Sequence, residues 1–139
     1  MDLATLALIF SAATDQFNLP KGLLSALCYV ESHHNISAVN KDDGDSESLG
    51  ICQVKLETAQ SLGFKGTRER LMGPRTNIHY AAKYLKQQLD RYDNSIYKAI
   101  SAYNSGTYKA SKKIMHIMSQ QVSVNHKYVL KVWRRWEQM

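Results

Sequence analysis

Apolar residues recur every three to four positions from the start of the chain. Leu3, Leu6, Phe10, Ala13 and Phe17 make one stripe, which predicts an amphipathic first helix. Asn18-Leu19-Pro20 interrupts the stripe, and Pro20 suits the first position of a second helix, where its missing N–H costs no hydrogen bond. In that helix Leu24, Cys28 and Glu31 fall at i, i+4 and i+7, beside a second stripe of Leu23, Leu27 and Val30. The helix is therefore apolar over a wide arc, and Glu31 stands on or next to its buried side.

From Ser32 to Glu47 the pattern gives way to polar residues, which predicts a long surface loop. Ser48 to Val54 is mostly apolar with Gln53 as a polar exception, as in an extended or turn segment against the core. A short helix is expected from about Leu56 to Leu62, with Gly63 as its C-cap. Pro74 opens a longer helix to about Tyr92, whose core stripe is Ile78, Ala81, Ala82, Leu85, Leu89 and Tyr92. The next begins near Ser95, turns Tyr97, Ile100 and Tyr103 inward, and stops at Asn104-Ser105-Gly106. Two further helices fill Tyr108 to Met118 and Asn125 to Gln138. The fold class is mostly α, with room for at most a small hairpin near residues 40–54. A chain of 139 residues, 44% hydrophobic and with no repeat or linker-like tract, is expected to form one domain over residues 1–139.

Charge narrows the partners. Eighteen Lys and Arg against twelve Asp and Glu leave +6, which favours an anionic partner: nucleic acid, anionic lipid or bacterial wall polymer. The densest basic run, Lys127, Lys131, Arg134 and Arg135, alternates with Val129, Val132, Trp133 and Trp136 at helical spacing. It reads as the solvated face of an amphipathic helix, and no nucleic-acid module accompanies it, so no nucleic-acid partner is expected. No apolar run reaches the length of a membrane span. Leu3 to Ala13 resembles a signal-peptide core, but Asp2 precedes it where Lys or Arg belongs, so no signal peptide is expected.

Cys28 and Cys52 are too few for a disulfide framework and lack zinc spacing; both read as buried thiols, a bridge between them being the alternative. Asp43, Asp45 and Glu47 alternate like the start of a calcium loop, yet Gly is missing from the sixth position and Val54 holds the twelfth. His33 and His34 lack a third ligand at regular spacing. Neither a metal nor a cofactor is expected.

Glu31 carries the first chemical signal. A carboxyl in the last turn of an apolar helix meets desolvation and the negative helix end, both of which favour the protonated form a general acid needs. Position alone also fits a glutamate that simply reaches solvent. Taken together, however, Glu31-Ser32, then Ser48-Leu49-Gly50-Ile51-Cys52-Gln53, then Ala102-Tyr103-Asn104-Ser105-Gly106 resemble the ordered motifs of the soluble lytic transglycosylase family, whose catalytic domain is lysozyme-like. Asn77-Ile78, Ala82-Lys83-Tyr84-Leu85 and Tyr128-Val129 extend the likeness, which runs from about Leu3 to Val132.

The resemblance implies cleavage of the β-1,4 bond between N-acetylmuramic acid and N-acetylglucosamine in peptidoglycan glycan strands, with Glu31 as catalytic acid and base. It also implies that Ser48 and Gln53 line the cleft and that Gly50 permits close approach of strand and helix. Tyr84 and Tyr103 would flank the acid, Asn104 would hold the Tyr103 turn, and Tyr128 would lie along the groove. The bland alternatives are packing for the two tyrosines, a helix stop for Asn104 and a turn cap for Ser48. Ile36 stands where the family usually has Pro, and Cys52 where Met or Phe is common. The acidic loop matters more: Asp42, Asp43, Asp45 or Glu47 could supply the second carboxylate of a goose-type lysozyme. A wall-binding module without catalysis is the lesser alternative. An enzyme of the wall without a signal peptide needs another route, and a phage particle, a lysis system, or secretion or conjugation machinery would provide one. A monomer is expected.

Overall fold

The computed structural model describes residues 1–43, 46–111 and 122–139, the side chains of residues 42 and 43 excepted. Helix α1 spans Leu3–Gln16 and is started by the Asp2 side chain, which accepts from the Thr5 N–H at 2.7 Å. Its buried face is Leu6, Ile9, Phe10, Ala13 and Thr14. Leu3, expected in the stripe, is 83% exposed, because the first turn precedes the point where α1 meets its neighbours.

Helix α2 covers Leu23–Ser32 and so begins three residues later than Pro20 suggested. The Leu23 N–H reaches the Pro20 carbonyl in a turn, and Gly22 takes the left-handed backbone (φ 81°) before the helix starts. Leu23, Leu24, Ala26, Leu27 and Cys28 are fully buried. From the later part of the stretch expected to be loop into the segment expected to be extended runs a three-stranded antiparallel sheet in the order β1 (Val39–Asp43), β2 (Ser46–Leu49), β3 (Val54–Lys55). Val39 pairs with Leu49, Ser48 with Lys55 and Leu49 with Val54, and the β1–β2 register shifts between Asn40 and Asp43. The hairpin thus lies where the sequence left room for it.

Helix α3 (Leu56–Ser61) follows directly, and Leu62 caps it, with Gly63 next at φ 103°. A short helix α4 (Arg68–Leu71), absent from the sequence reading, is started by Thr67, whose hydroxyl accepts from the Arg70 N–H. Helix α5 (Pro74–Arg91) has Pro74 in its first turn and buries Ile78, Ala81, Ala82, Leu85 and Leu89. Tyr92, just beyond it, is only half-buried. Helix α6 (Ile96–Ser105) is capped by Ser95 and closed by Gly106 in the left-handed conformation.

Of the helix expected over 108–118, residues 112–118 lie outside the described part. Residues 108–111 are not helical: Ala110 bridges Ser123, and the Ser111 N–H reaches the Val122 carbonyl. Helix α7 (His126–Glu137) packs along α2, while α5 packs against α6 and α1. Buried Val129 and Val132 form its inner face, and the Trp136 indole donates to the Lys21 carbonyl at 2.8 Å, pinning the end of α7 to the turn before α2.

Candidate active site

Three helices converge on Glu31. It occupies the last turn of α2, which His33 ends by turning left-handed (φ 55°). The end of α2 is held from below by the segment 50–53. Ser32 donates from its hydroxyl to the Ile51 carbonyl at 2.6 Å, and Cys28 is disulfide-bonded to Cys52 with their Cα atoms 4.4 Å apart. This bridge corrects the reading of two free thiols. The two backbones meet only once the sheet has folded the 50–53 turn back onto α2, and a separation of 24 residues gives no hint of that.

Asn77 fixes the same turn from the other side. Fully buried at the start of α5, it accepts from the Cys52 N–H at 2.9 Å and donates to the Leu49 and Leu71 carbonyls at 2.8 and 3.0 Å. Gly50 makes the approach possible: its φ is 78°, and a Cβ there would stand 2.5 Å from the Asn77 amide nitrogen. The expected close approach of strand and helix at Gly50 is what the structure contains. Gln53 is itself left-handed (φ 54°), and its side-chain NH2 donates to the Gly50 carbonyl at 2.9 Å and the Ala38 carbonyl at 3.2 Å. The amide oxygen is thereby left as the group that can accept from a ligand hydroxyl.

Above this floor lies a cleft of about 550 Å³ that Glu31, Ser48, Gln53, Tyr84, Tyr103 and Asn104 all line. Six residues singled out from the sequence are thus brought together. Asn40, Lys55 and Thr58 line the same cleft and were not foreseen; each is a polar residue on a short strand or helix start, where periodicity carries little signal. The seventh, Tyr128 of α7, approaches from the other side and donates its hydroxyl to the Glu31 Oε2 at 2.8 Å. It borders a second cleft of about 670 Å³, which also touches Glu31 and Asn104. Glu31 therefore sits where two clefts meet.

The three tyrosines take different places around the acid. Tyr103, buried, donates to the Cys52 carbonyl at 2.9 Å, and Tyr84 packs on it with ring centroids 5.2 Å apart. The Tyr128 phenol reaches the carboxylate. Desolvation raises the pKa of both Tyr103 and Tyr128 well above the usual phenol value, and the nearby Glu31 charge adds to it. Both hydroxyls therefore remain donors at any working pH. Asn104, inside α6 rather than on a turn, accepts from the Asn125 amide at 3.1 Å, and Asn125 in turn donates to the Ser101 carbonyl. That bond ties α6 to the start of α7.

Glu47, one candidate for a second carboxylate, is engaged elsewhere. It lies on β2 next to Ser48, so strand alternation sends its side chain to the opposite face. There it is bound in two places by the Arg68 guanidinium of α4, one of them at 3.0 Å. The side chains of Asp42, Asp43 and Asp45 lie outside the described residues.

Residues 8–124 match the model of the transglycosylase SLT domain, 117 of the 139 residues. The chain belongs to the transglycosylase SLT domain family. The SLT chain is 35% identical over 103 residues to the protein IpgF of Shigella flexneri, covering 73% of this chain and 67% of IpgF. It is 31% identical over 100 residues to the transglycosylase of Enterobacteria phage PRD1, covering 72% of this chain and 34% of the phage protein. It is 29% identical over 103 residues to the membrane-bound lytic murein transglycosylase F 1 of Alkalilimnicola ehrlichii, of which it spans 19%. The last two are much longer proteins, and the SLT chain corresponds to one part of each. Among its described residues no helix is long and apolar enough to cross a membrane.

Proposed function

We propose that this SLT chain cleaves the β-1,4 bond between N-acetylmuramic acid and N-acetylglucosamine in peptidoglycan and leaves a 1,6-anhydromuramic acid end. The observation that carries the reading is the placement of Glu31 at the junction of two clefts, with the Tyr128 hydroxyl on its carboxylate. A glycan strand laid through both clefts brings a glycosidic oxygen to Glu31.

In the first half of the reaction Glu31 gives its proton to that oxygen as the bond to C1 breaks. In the second, the muramic-acid 6-hydroxyl attacks C1 and the Glu31 carboxylate takes the hydroxyl proton, so Glu31 ends as it began. The nucleophile belongs to the substrate. One carboxyl therefore suffices, whereas a hydrolase of the usual kind needs a second at roughly 5–9.5 Å. Tyr128 holds the carboxylate in one orientation through a charge-assisted hydrogen bond. Gln53 and Ser48 offer hydrogen-bonding groups to the sugars, and Tyr84 and Tyr103 exclude water from the side of the acid that faces the first cleft.

The proposal places the chain at work on the cell wall as a single catalytic domain. A buried disulfide fits an oxidising compartment better than the cytosol. Phage particles and secretion or conjugation machines are the routes we favour.

Digestion of purified sacculi followed by mass analysis of the muropeptides tests the chemistry. The expected products are anhydro-muropeptides, and Glu31→Gln should lower their yield by about 10³-fold. Products heavier by one water would assign the activity to a lysozyme, with the acidic loop at 42–47 as the place to look for its second acid. Unchanged wall clearing by Glu31→Gln would instead leave a wall-binding module.

A further inference from the structure

The second cleft differs in character from the first. Its α7 wall is formed by Lys131, Arg134 and Arg135, which share one helix face at i, i+3 and i+4. Cations in the last turns of a helix are commonly no more than solvated partners of the helix end. Two observations go further. Arg135 is not free in solvent: its guanidinium lies 3.6 Å from the centre of the Tyr29 ring on α2, which fixes it in the wall. Moreover, among the described residues none of the three cations has a carboxylate within ion-pair distance. Three positive groups thus border one concavity whose lining holds one carboxylate, Glu31, at its other end.

We infer that this basic cleft binds the carboxylates of the stem peptide carried by the muramic acid on one side of the bond that is cut. The inference rests on the proposed activity, because it takes the occupant to be continuous with the strand at Glu31. The sugar backbone of that strand carries hydroxyl and acetamido groups, which give three cations nothing to pair with. Its anionic groups are the free carboxylates of the peptide, which is joined through a neutral amide to the muramic-acid lactyl group. A peptide hanging from the sugar next to the cut falls along α7, where the cations can pair with its acidic residues and its C-terminus. A phosphate-rich wall polymer could also satisfy them, and the test below removes it.

The test compares native sacculi, freed of phosphate polymers, with the same sacculi after carbodiimide amidation of their peptide carboxylates. Wild-type protein should show kcat/KM higher by about tenfold on the native wall, mostly through KM, and lose that preference above about 0.3 M salt. In a Lys131→Gln/Arg134→Gln/Arg135→Gln variant the preference should shrink toward one. A Lys131→Gln/Arg134→Gln variant, which keeps the Arg135–Tyr29 contact, should shrink it in part, so that a packing defect at Tyr29 is not mistaken for lost recognition. A triple variant that weakens action on both walls by the same factor, or a wild type indifferent to amidation, overturns the inference. Failure of the proposed activity is a separate result: in that case neither wall yields anhydro products with any of the proteins.

Discussion

The two clefts that meet at Glu31 are built on opposite plans. The sheet-side cleft is made of short polar side chains and backbone, set on a floor locked by Asn77, the Cys28–Cys52 bridge and the Ser32–Ile51 hydrogen bond. The α7-side cleft is made of long cationic side chains on one helix face, held by Tyr128 and Trp136 at two points. A short polar group on a buried floor can be placed to a fraction of an ångström, which suits alignment of a sugar ring. A lysine or arginine on a helix face is adaptable, which suits charged groups whose position varies. Damage to the first should therefore cost structure and activity together, and damage to the second should cost binding alone.

The sharpest break of that contrast comes from Asn77. Asn77→Ala takes the side-chain partner from the Cys52 N–H and from the Leu49 and Leu71 carbonyls, all of them on buried residues. Buried unpaired groups cost about 1–3 kcal/mol each, so a total on the order of 3–5 kcal/mol is expected. The melting temperature should fall by roughly 10 °C or more, with activity lost at growth temperature. Gly50→Ala should reproduce much of this, since its Cβ collides with the Asn77 amide and its φ is positive. A variant that melts like wild type would show that the floor of the sheet-side cleft is not held as described.

Next in size is the disulfide. Replacing both Cys28 and Cys52 by Ser releases a closed loop of 24 residues' separation and should cost about 3 kcal/mol. Because Cys28 lies one turn before Glu31 and the Cys52 carbonyl receives the Tyr103 hydroxyl, activity should fall by more than the loss of folded protein explains. Denaturant titration with and without reductant, beside activity at a temperature where both forms are folded, checks this. Equal specific activity in the two forms would reduce the bridge to a staple of the fold.

This asymmetry also decides what the sequence could reveal. The lining of the sheet-side cleft was legible through the family resemblance, since Glu31, Ser48, Gln53, Tyr84, Tyr103 and Asn104 stand in its motifs, and the helices that carry Glu31, Tyr84, Tyr103 and Asn104 have clear 3.6-residue periods. The disulfide was not legible, because no local rule connects Cys28 with Cys52 until the 50–53 turn is folded. The strands were nearly invisible, since two to five residues hold too few alternations to tell from loop. Asn77 is a polar residue inside an apolar stripe, and such an exception can flag a buried network. On α7, periodicity separated the polar face from the apolar one correctly, yet it cannot say whether a polar face is convex and solvated or the wall of a cleft. That is why Arg135 read as solvent-facing and proved to be stacked on Tyr29.

Tyr128 stands on the border between the two plans and sharpens the comparison. Tyr128→Phe removes the hydrogen bond to Glu31 and keeps the ring that fills the space beside it. Stability should change by about 1 kcal/mol or less. The rate constant kcat should fall by roughly tenfold while KM moves little, because the phenol orients the acid rather than gripping a distant part of the strand. Tyr103→Phe, by contrast, removes a bond to the Cys52 carbonyl and should act mainly on stability. If Tyr103→Phe proves the more damaging to kcat at equal folding, the roles assigned to the two phenols are reversed.

The smallest expected effect tests how the sheet is tied to α4 behind the cleft. Arg68 holds the Glu47 carboxyl below its ordinary value of 4.5 through their hydrogen bonds. A carboxyl whose pKa is lowered by folding stabilises the folded state above its unfolded pKa, and that contribution disappears as pH falls through the lowered value. The difference in melting temperature between wild type and Glu47→Gln should therefore be full at neutral pH, begin to shrink near pH 4.5, and vanish at lower pH. It should be small throughout, since the pair is partly solvated and salt weakens it further. Peptidoglycan cleavage at neutral pH should survive the substitution. A loss of activity as severe as that of Glu31→Gln, with the fold intact, would move Glu47 from the frame of the sheet into the chemistry and favour a hydrolase.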